Sequence, residues 1–240
     1  GCENASVEIV DAIREEGAKF CTQVLAPLNK VADQEGCTWS ETGVKTPSGF
    51  KTAYEQFRDA GWTSLMQGEE FGGQGLPYSV GIMFGEMTSG AGLAWSMLNG
   101  CNNGTAETIN AWGTAEQKEM FMPKVVSGEW SGTMCLTESH CGTDLGLLRT
   151  KAEPNSDGTY SLTGTKIFIT WGEHDICDNI VHIVLARIPG GPDGVKGISL
   201  FIVPKFSVNK DNSVGDFNNV SCGSIEHKMG LNGSPTCVMN

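Results

Sequence analysis

Two things are scarce in this chain: charge, and any regular spacing of its thiol and imidazole residues. Charged residues make up 18% of the 240, and 16 Lys and Arg face 28 Asp and Glu, for a formal net charge of −12. Binding along a phosphate backbone rests on clustered Lys and Arg, so nucleic acid is excluded as a general partner, and the acidic coat reads as solubility. Nine cysteines stand at 2, 21, 37, 101, 135, 141, 177, 222 and 237, an odd and irregular set without a C-x-x-C pair. That spacing excludes both a disulfide framework and a zinc site of the ordinary kind, and it predicts reduced thiols in a cytoplasmic setting with no metal. Long apolar runs are also missing. Ile180–Ile188 is broken by His182 and Arg187 and is too short to span a bilayer. Four N-x-S/T triplets, at Asn4, Asn103, Asn219 and Asn232, follow no secretory apolar segment and are read as chance. The chain opens on Gly1 without Met and stops inside the apolar run 236–240, so a piece of a longer protein is expected.

Familiar catalytic signatures are lacking too. There is no G-x-G-x-x-G after a strand, no phosphate-binding G-x-x-x-x-G-K-S/T, and no G-x-S-x-G elbow. The four histidines form no H-x-x-x-H. His182, within an apolar strand, is either a satisfied interior residue or a ligand. Glu173-His174-Asp175 is either a charged loop or an acid–base cluster.

What is present is a 39% hydrophobic content, enough to form a core, and a change of hydrophobic period near Gly128. Before it, Ile9, Ile13, Phe20, Val24, Leu28 and Val31 stripe a helix that Pro27 should bend or divide. Phe50, Tyr54 and Phe57 stripe another. Gly68–Pro77 is a glycine-rich loop, Ser79–Leu98 a helix apolar enough to be buried on every side, and Thr114–Gln117 a capping box. After it, Thr150–Glu153, Tyr160–Thr163, Lys166–Thr170, Ile180–Arg187 and Ile198–Val203 read as strands, the first two joined by an Asp157-Gly158 turn. The expected fold is α+β: an all-helical domain over residues 1–128, then an antiparallel, barrel-like β domain over 129–240.

The segment Met134–Leu145 asks for a chemical reading. A strand breaks into a loop of hydroxyls, an acid and a glycine. Main-chain groups at a strand end can read the edge of a heteroaromatic ring, Gly142 allows a bulky ligand close to the backbone, and the Thr143 hydroxyl can donate to phosphate. A plain polar turn between strands has the same composition, so both readings stand.

Cys135-Leu136-Thr137-Glu138-Ser139-His140-Cys141-Gly142-Thr143-Asp144 is similar to the acyl-CoA dehydrogenase pattern, Thr-Glu-Pro-x-Ala-Gly-Ser/Thr-Asp. Three further blocks agree in order: Gly68–Leu76, Gly113–Lys118 with Pro123-Lys124 and Ser127–Glu129, and Gly164–Thr170. Nearly the whole chain is covered, and the wording from Gly132 to Ala152 resembles the 3-methylmercaptopropionyl-CoA dehydrogenase branch.

This resemblance implies FAD, bound where the β domain meets helical domains. Met134 is expected among the cofactor-binding residues, the backbone of Leu136 and the Thr137 hydroxyl are expected to hold the pyrimidine edge, and Gly142 and Thr143 to meet the pyrophosphate. Phe168 is expected against the isoalloxazine, with Ile169 and the Thr170 hydroxyl beside its N5/O4 edge; Thr143 is also assigned to the substrate. The implied reaction is α,β-desaturation of an acyl-CoA in fatty acid metabolism, with electrons passing to an electron-transferring flavoprotein and the enzyme a homo-oligomer. The family's base, a glutamate of a C-terminal helical domain absent from this chain, matches no position here. No catalytic residue is nominated, and the fragment alone is expected to be inactive. A silent flavin- or acyl-CoA-binding relative and an acyl-CoA oxidase are the alternatives. Ser139 for Pro, Cys141 for Ala, and Trp171, expected to alter the acyl pocket, are the departures.

Overall fold

Pro27 decides how the chain begins. The computed structural model describes residues 4–240, and its first helix, α1 (Val7–Phe20), runs through one wide π-type turn, Cys21–Leu25, into α2 (Ala26–Glu35). Proline has no N–H to donate and its ring crowds the preceding turn; the wide turn absorbs both without breaking the axis. The extra residue rotates the buried face. Ile13, Cys21, Phe20, Leu25 and Ala32 are enclosed, while Ile9 of the expected stripe is exposed.

A two-stranded hairpin follows, β1 (Thr38–Ser40) with β2 (Gly43–Lys45). It is the one departure from an all-helical first half, and its three-residue strands are too short to leave a period in the sequence. α3 (Phe50–Asp59) buries Phe50, Tyr54 and Phe57 as their spacing requires. Gly68–Pro77 is a loop around one short 3-10 turn.

α4 (Tyr78–Trp112) is longer than its apolar pattern suggested and is interrupted at Gly92. It is not buried on every side: Ile82 and Leu93 are exposed, and Gly81, Gly85, Ser89, Ser96 and Gly100 line an open groove. Its apolar composition comes partly from small residues, which a solvent-facing helix also tolerates. α5 (Ala115–Ser127) opens on the expected capping box, with Gln117 N donating to Thr114 Oγ1 at 3.3 Å and Thr114 N to Gln117 Oε1 at 2.9 Å.

The second half is two facing sheets. β3 (Trp130–Cys135), β4 (Lys151–Pro154), β5 (Tyr160–Thr163), β7 (Asn179–Arg187) and β8 (Ile198–Pro204) form a five-stranded sheet. β6 (Lys166–Thr170), β11 (Cys222–Ile225) and β12 (Thr236–Met239) form a three-stranded one, and β9 (Phe206–Val208) with β10 (Val214–Phe217) a ribbon. Pairing is mostly antiparallel. The exceptions are β3–β7 and the short β4–β7 contact, which are parallel because a long crossover returns the chain to the same sheet. Cys135 and Val184 of one sheet meet Ile169, Cys237 and Met239 of the other to close the barrel-like interior.

Two further clusters hold the halves in place. Phe20, Phe57, Phe84, Trp95 and their neighbours form the helical core, and Ile109, Phe121, Met122 and Val125 pack on Trp130 and Val181 at the junction. Among the described residues eight cysteines are free thiols, Cys2 lying outside them. No helix among the described residues is long and apolar enough to cross a membrane.

Candidate functional site

β6 lies beside β3 and the loop that leaves it, and three hydrogen bonds set the alignment. Thr133 Oγ1 donates to the Thr170 carbonyl at 2.6 Å, Lys166 Nζ to the Leu136 carbonyl at 3.1 Å, and Ile167 N to the Thr137 carbonyl at 2.9 Å. Met134, Leu136 and Thr137 are thereby brought against Phe168, Ile169 and Thr170, two sets separated by about thirty residues of sequence. Strand alternation then sorts the side chains. Ile169 is buried in the interior, so it offers the site only its main chain, whereas Phe168 is 57% and Met134 44% exposed. Phe168 adopts φ +59°, a left-handed conformation that bulky side chains rarely take.

The loop beyond β3 is fastened by Glu138. Its carboxylate, 4% exposed, accepts from Arg149 N at 2.7 Å, Thr150 N at 3.0 Å, Thr150 Oγ1, and Lys166 Nζ at 2.9 Å. Burial alone would raise its pKa, but the bonds from Thr150, Lys166 and the Arg149 amide outweigh it and hold the carboxyl down to about 2. Glu138 is therefore a clamp. The chain turns at Cys141, whose N donates to the Glu138 carbonyl. Gly142, at φ +55°, has nothing within 4 Å of where a Cβ would stand. Gly142 and Thr143 thus sit on the open side of the turn, and the Thr137, Thr143 and Thr170 hydroxyls donate to no protein group among the described residues.

Arg187 finishes the loop from below, donating through Nε to the Leu148 carbonyl at 2.7 Å and through Nη2 to the Gly146 carbonyl at 2.6 Å. Sequence reasoning missed Lys166, Thr150 and Arg187 as builders of this site. The signal was available for the two cations, which interrupt or end otherwise apolar strands.

Trp171 corrects an expectation. Its side chain is fully buried between Phe50, at a ring separation of 6.3 Å, and His174, at 5.5 Å. It faces the helical core, because its own left-handed φ of +56° turns it off the strand.

Glu173-His174-Asp175 is a charged loop whose Glu173 and His174 are buried and whose Asp175 is exposed. Lys205 Nζ donates to Glu173 Oε1 at 2.6 Å, and Asp175 Oδ1 accepts from Thr46 N and Oγ1. His174 Nδ1 accepts from Ile176 N, and its Nε2 lies 2.8 Å from Ser131 Oγ. Burial pushes the His174 pKa down to about 3, so the ring is neutral. His182 is buried as expected but only half satisfied. Its Nδ1 is 3.8 Å from Cys135 Sγ and its Nε2 has no partner; burial again pushes its pKa to about 3. The same burial pushes the Cys135 thiol up to about 12, so the two form no thiolate–imidazolium pair.

Comparison with known proteins now bears on this geometry. Residues 8–129 match the family model "Acyl-CoA dehydrogenase, N-terminal domain", and residues 133–240 match "Acyl-CoA dehydrogenase, middle domain". The chain belongs to the acyl-CoA dehydrogenase family. It is 44% identical over 237 residues to the 3-methylmercaptopropionyl-CoA dehydrogenase of Ruegeria pomeroyi, an alignment covering 98% of this chain and 40% of that protein. An acyl-CoA dehydrogenase from Bacillus anthracis, solved complexed with FAD, superposes with a TM-score of 0.77 at 26% identity, over 100% of this chain and 36% of the other. A solved chain described as the electron transferring flavoprotein of Acidaminococcus fermentans also superposes at 0.77, with 28% identity, over 98% of this chain and 55% of that one. The chain thus spans about two-fifths of the length of the acyl-CoA dehydrogenase from Ruegeria that it matches.

Proposed function

We propose that this chain is the flavin-holding portion of an FAD-dependent enzyme that desaturates an acyl-CoA thioester between its α and β carbons. One observation supports the reading. The β3–β6 crossing carries an exposed aromatic ring, Phe168, and an exposed Met134, and the segment from Thr137 to Thr170 adds three hydroxyls with no protein acceptor among the described residues and an open glycine turn. These features fit FAD: an apolar platform suits the flat ring system, and unspent donors suit its polar edge and phosphates.

In this reading the Thr137 hydroxyl and the Leu136 main chain orient the pyrimidine edge, Phe168 and Met134 exclude water from the ring, and Gly142 admits the pyrophosphate, with Thr143 donating to it or to the substrate. Bound FAD supplies the hydride acceptor. A donor from Thr170 beside the N5/O4 edge favours negative charge there, each such bond contributing on the order of 1 kcal/mol net. Glu138 is spent on Lys166 and Thr150, so it is not offered as the base.

The acceptor proposed for the electrons is an electron-transferring flavoprotein, in keeping with the Acidaminococcus likeness. An acyl chain carrying sulfur, as in the Ruegeria relative, heads the substrates to try.

The test is an anaerobic absorption spectrum of the full-length protein before and after a panel of acyl-CoA thioesters. Flavin bands that bleach with one thioester are expected. Bands that never bleach would favour a silent binding relative, and protein that takes up no flavin on reconstitution would overturn the reading. Peroxide formed in step with substrate loss would point to the oxidase.

A further inference from the structure

We propose that Glu138, His140 and Cys141 form a binding site for a thiophilic divalent cation of the Zn2+ type. One carboxylate oxygen, one imidazole nitrogen and one thiol sulfur lie within 4.8 Å of one another, and His140 Nε2 is 3.6 Å from Glu138 Oε2. Bond lengths of roughly 2.0–2.3 Å to such an ion place tetrahedral ligand atoms about 3.5 Å apart, so closure from within 4.8 Å needs a contraction of at most about 1.3 Å in one turn. The three residues fall within four positions of one another, which the spacing rules for paired cysteines do not register.

The parts are prepared in different ways. Glu138 is fixed by Thr150, Lys166 and the Arg149 amide, with its Oε1 occupied by Thr150 and Lys166 and its Oε2 taking only Arg149 N and facing His140. Cys141 is buried beside it, and burial, then the Glu138 charge, raise its pKa. His140 is exposed, so an ion enters from the solvent side. Its Nε2 now lies 3.1 Å from the Leu147 carbonyl, a contact that must break when the ring turns to the metal. Binding forms one S–metal bond and releases the thiol proton to solvent, with no change of oxidation state. Lys166 and Arg149 oppose the incoming charge, which weakens hard cations that lack the compensation of a thiolate bond. Two of the ligands are residues by which this loop departs from, or is unconstrained by, its family's pattern: Cys141 where alanine is usual, and His140 at an open position.

The experiment titrates the full-length protein, cleared of metal with a chelator, first with Co2+ and then with Zn2+. One equivalent of Co2+ is expected to give a sulfur-to-cobalt charge-transfer band that Zn2+ abolishes. Cys141→Ala and His140→Ala should each weaken binding at least about tenfold, while Cys37→Ser should not change it. His140 is exposed, so its variant keeps the test open even where Cys141→Ala disturbs folding. Absence of the band in the unaltered protein, or binding as tight in both variants, overturns the site.

Discussion

Glu138 and Lys166 depend on each other, both side chains being 4% exposed at a separation of 2.9 Å. Removing one partner of a buried pair leaves the other charge uncompensated, which costs roughly 3–5 kcal/mol. Glu138→Ala is therefore expected to lower the urea midpoint by that equivalent, and Lys166→Met added to it should recover part of the loss. A Glu138→Ala protein as stable as the original would mean the loop is fastened elsewhere. The buried histidines make a second prediction. His174 and His182 ordinarily titrate near 6.5, but burial holds both at about 3 in the fold. As pH falls below about 6.5 the unfolded chain takes up protons that the folded chain refuses, so acidification favours unfolding. Each histidine contributes at most about 1.4 kcal/mol per pH unit. Glu138, held at about 2 against an ordinary 4.5, adds the same sign below its ordinary value. Stability measured from about pH 7 down to about pH 4 should fall, and His182→Gln should flatten the slope; a level profile would contradict the neutral, buried state of both rings.

At the scale of elements, a close contact between α4 and β3 constrains the site. A Cβ built on Gly132 would stand 2.3 Å from Thr105 Cβ, so the strand approaches the helix closely enough to exclude any side chain there. Gly132→Ala should cost about 1–3 kcal/mol by overpacking, and Thr105→Gly in the same chain should relieve part of it, as thermal unfolding of the single and double variants would record. The strands and their turn at Gly158 were legible in the sequence because β-branched alternation and a turn dipeptide are local signals. So was the stripe of α3. The rotated face of α1 and α2 was not, since it depends on one wide turn ahead of Pro27. The site divides the same way. The loop residues Leu136–Thr143 stood out only through the family pattern, since their composition also fits a plain polar turn, and the clamp on Glu138 joins residues from three separate segments, which no pattern within one window reports. Trp171 was misread for a related reason: its left-handed φ, which turns the side chain toward Phe50, leaves no mark in the local sequence.

The molecule as a whole is tied across its two halves by contacts of several kinds. Thr46 Oγ1 donates to Asp175 Oδ1 at 2.7 Å, Trp39 Nε1 to the Cys222 carbonyl at 2.7 Å, and Asn232 Nδ2 to the Asp33 carbonyl at 3.1 Å. With Trp171 seated in the helical core, the halves should unfold together. Helical ellipticity and near-ultraviolet aromatic signals are expected to give coincident denaturation curves; curves that separate would show that the ties are too weak to couple them. The burial of Trp171 also has an optical consequence. Its indole is wholly screened from water and its Nε1 hydrogen has no partner, so no solvent dipoles relax around the excited ring and its emission belongs at the short-wavelength end of the tryptophan range. It stands next to Thr170, on the edge of the face proposed for the isoalloxazine, whose absorption overlaps that emission. Light absorbed by this one ring would pass to a bound flavin and be lost from its fluorescence, giving the fold a built-in gauge of how full its cofactor site is.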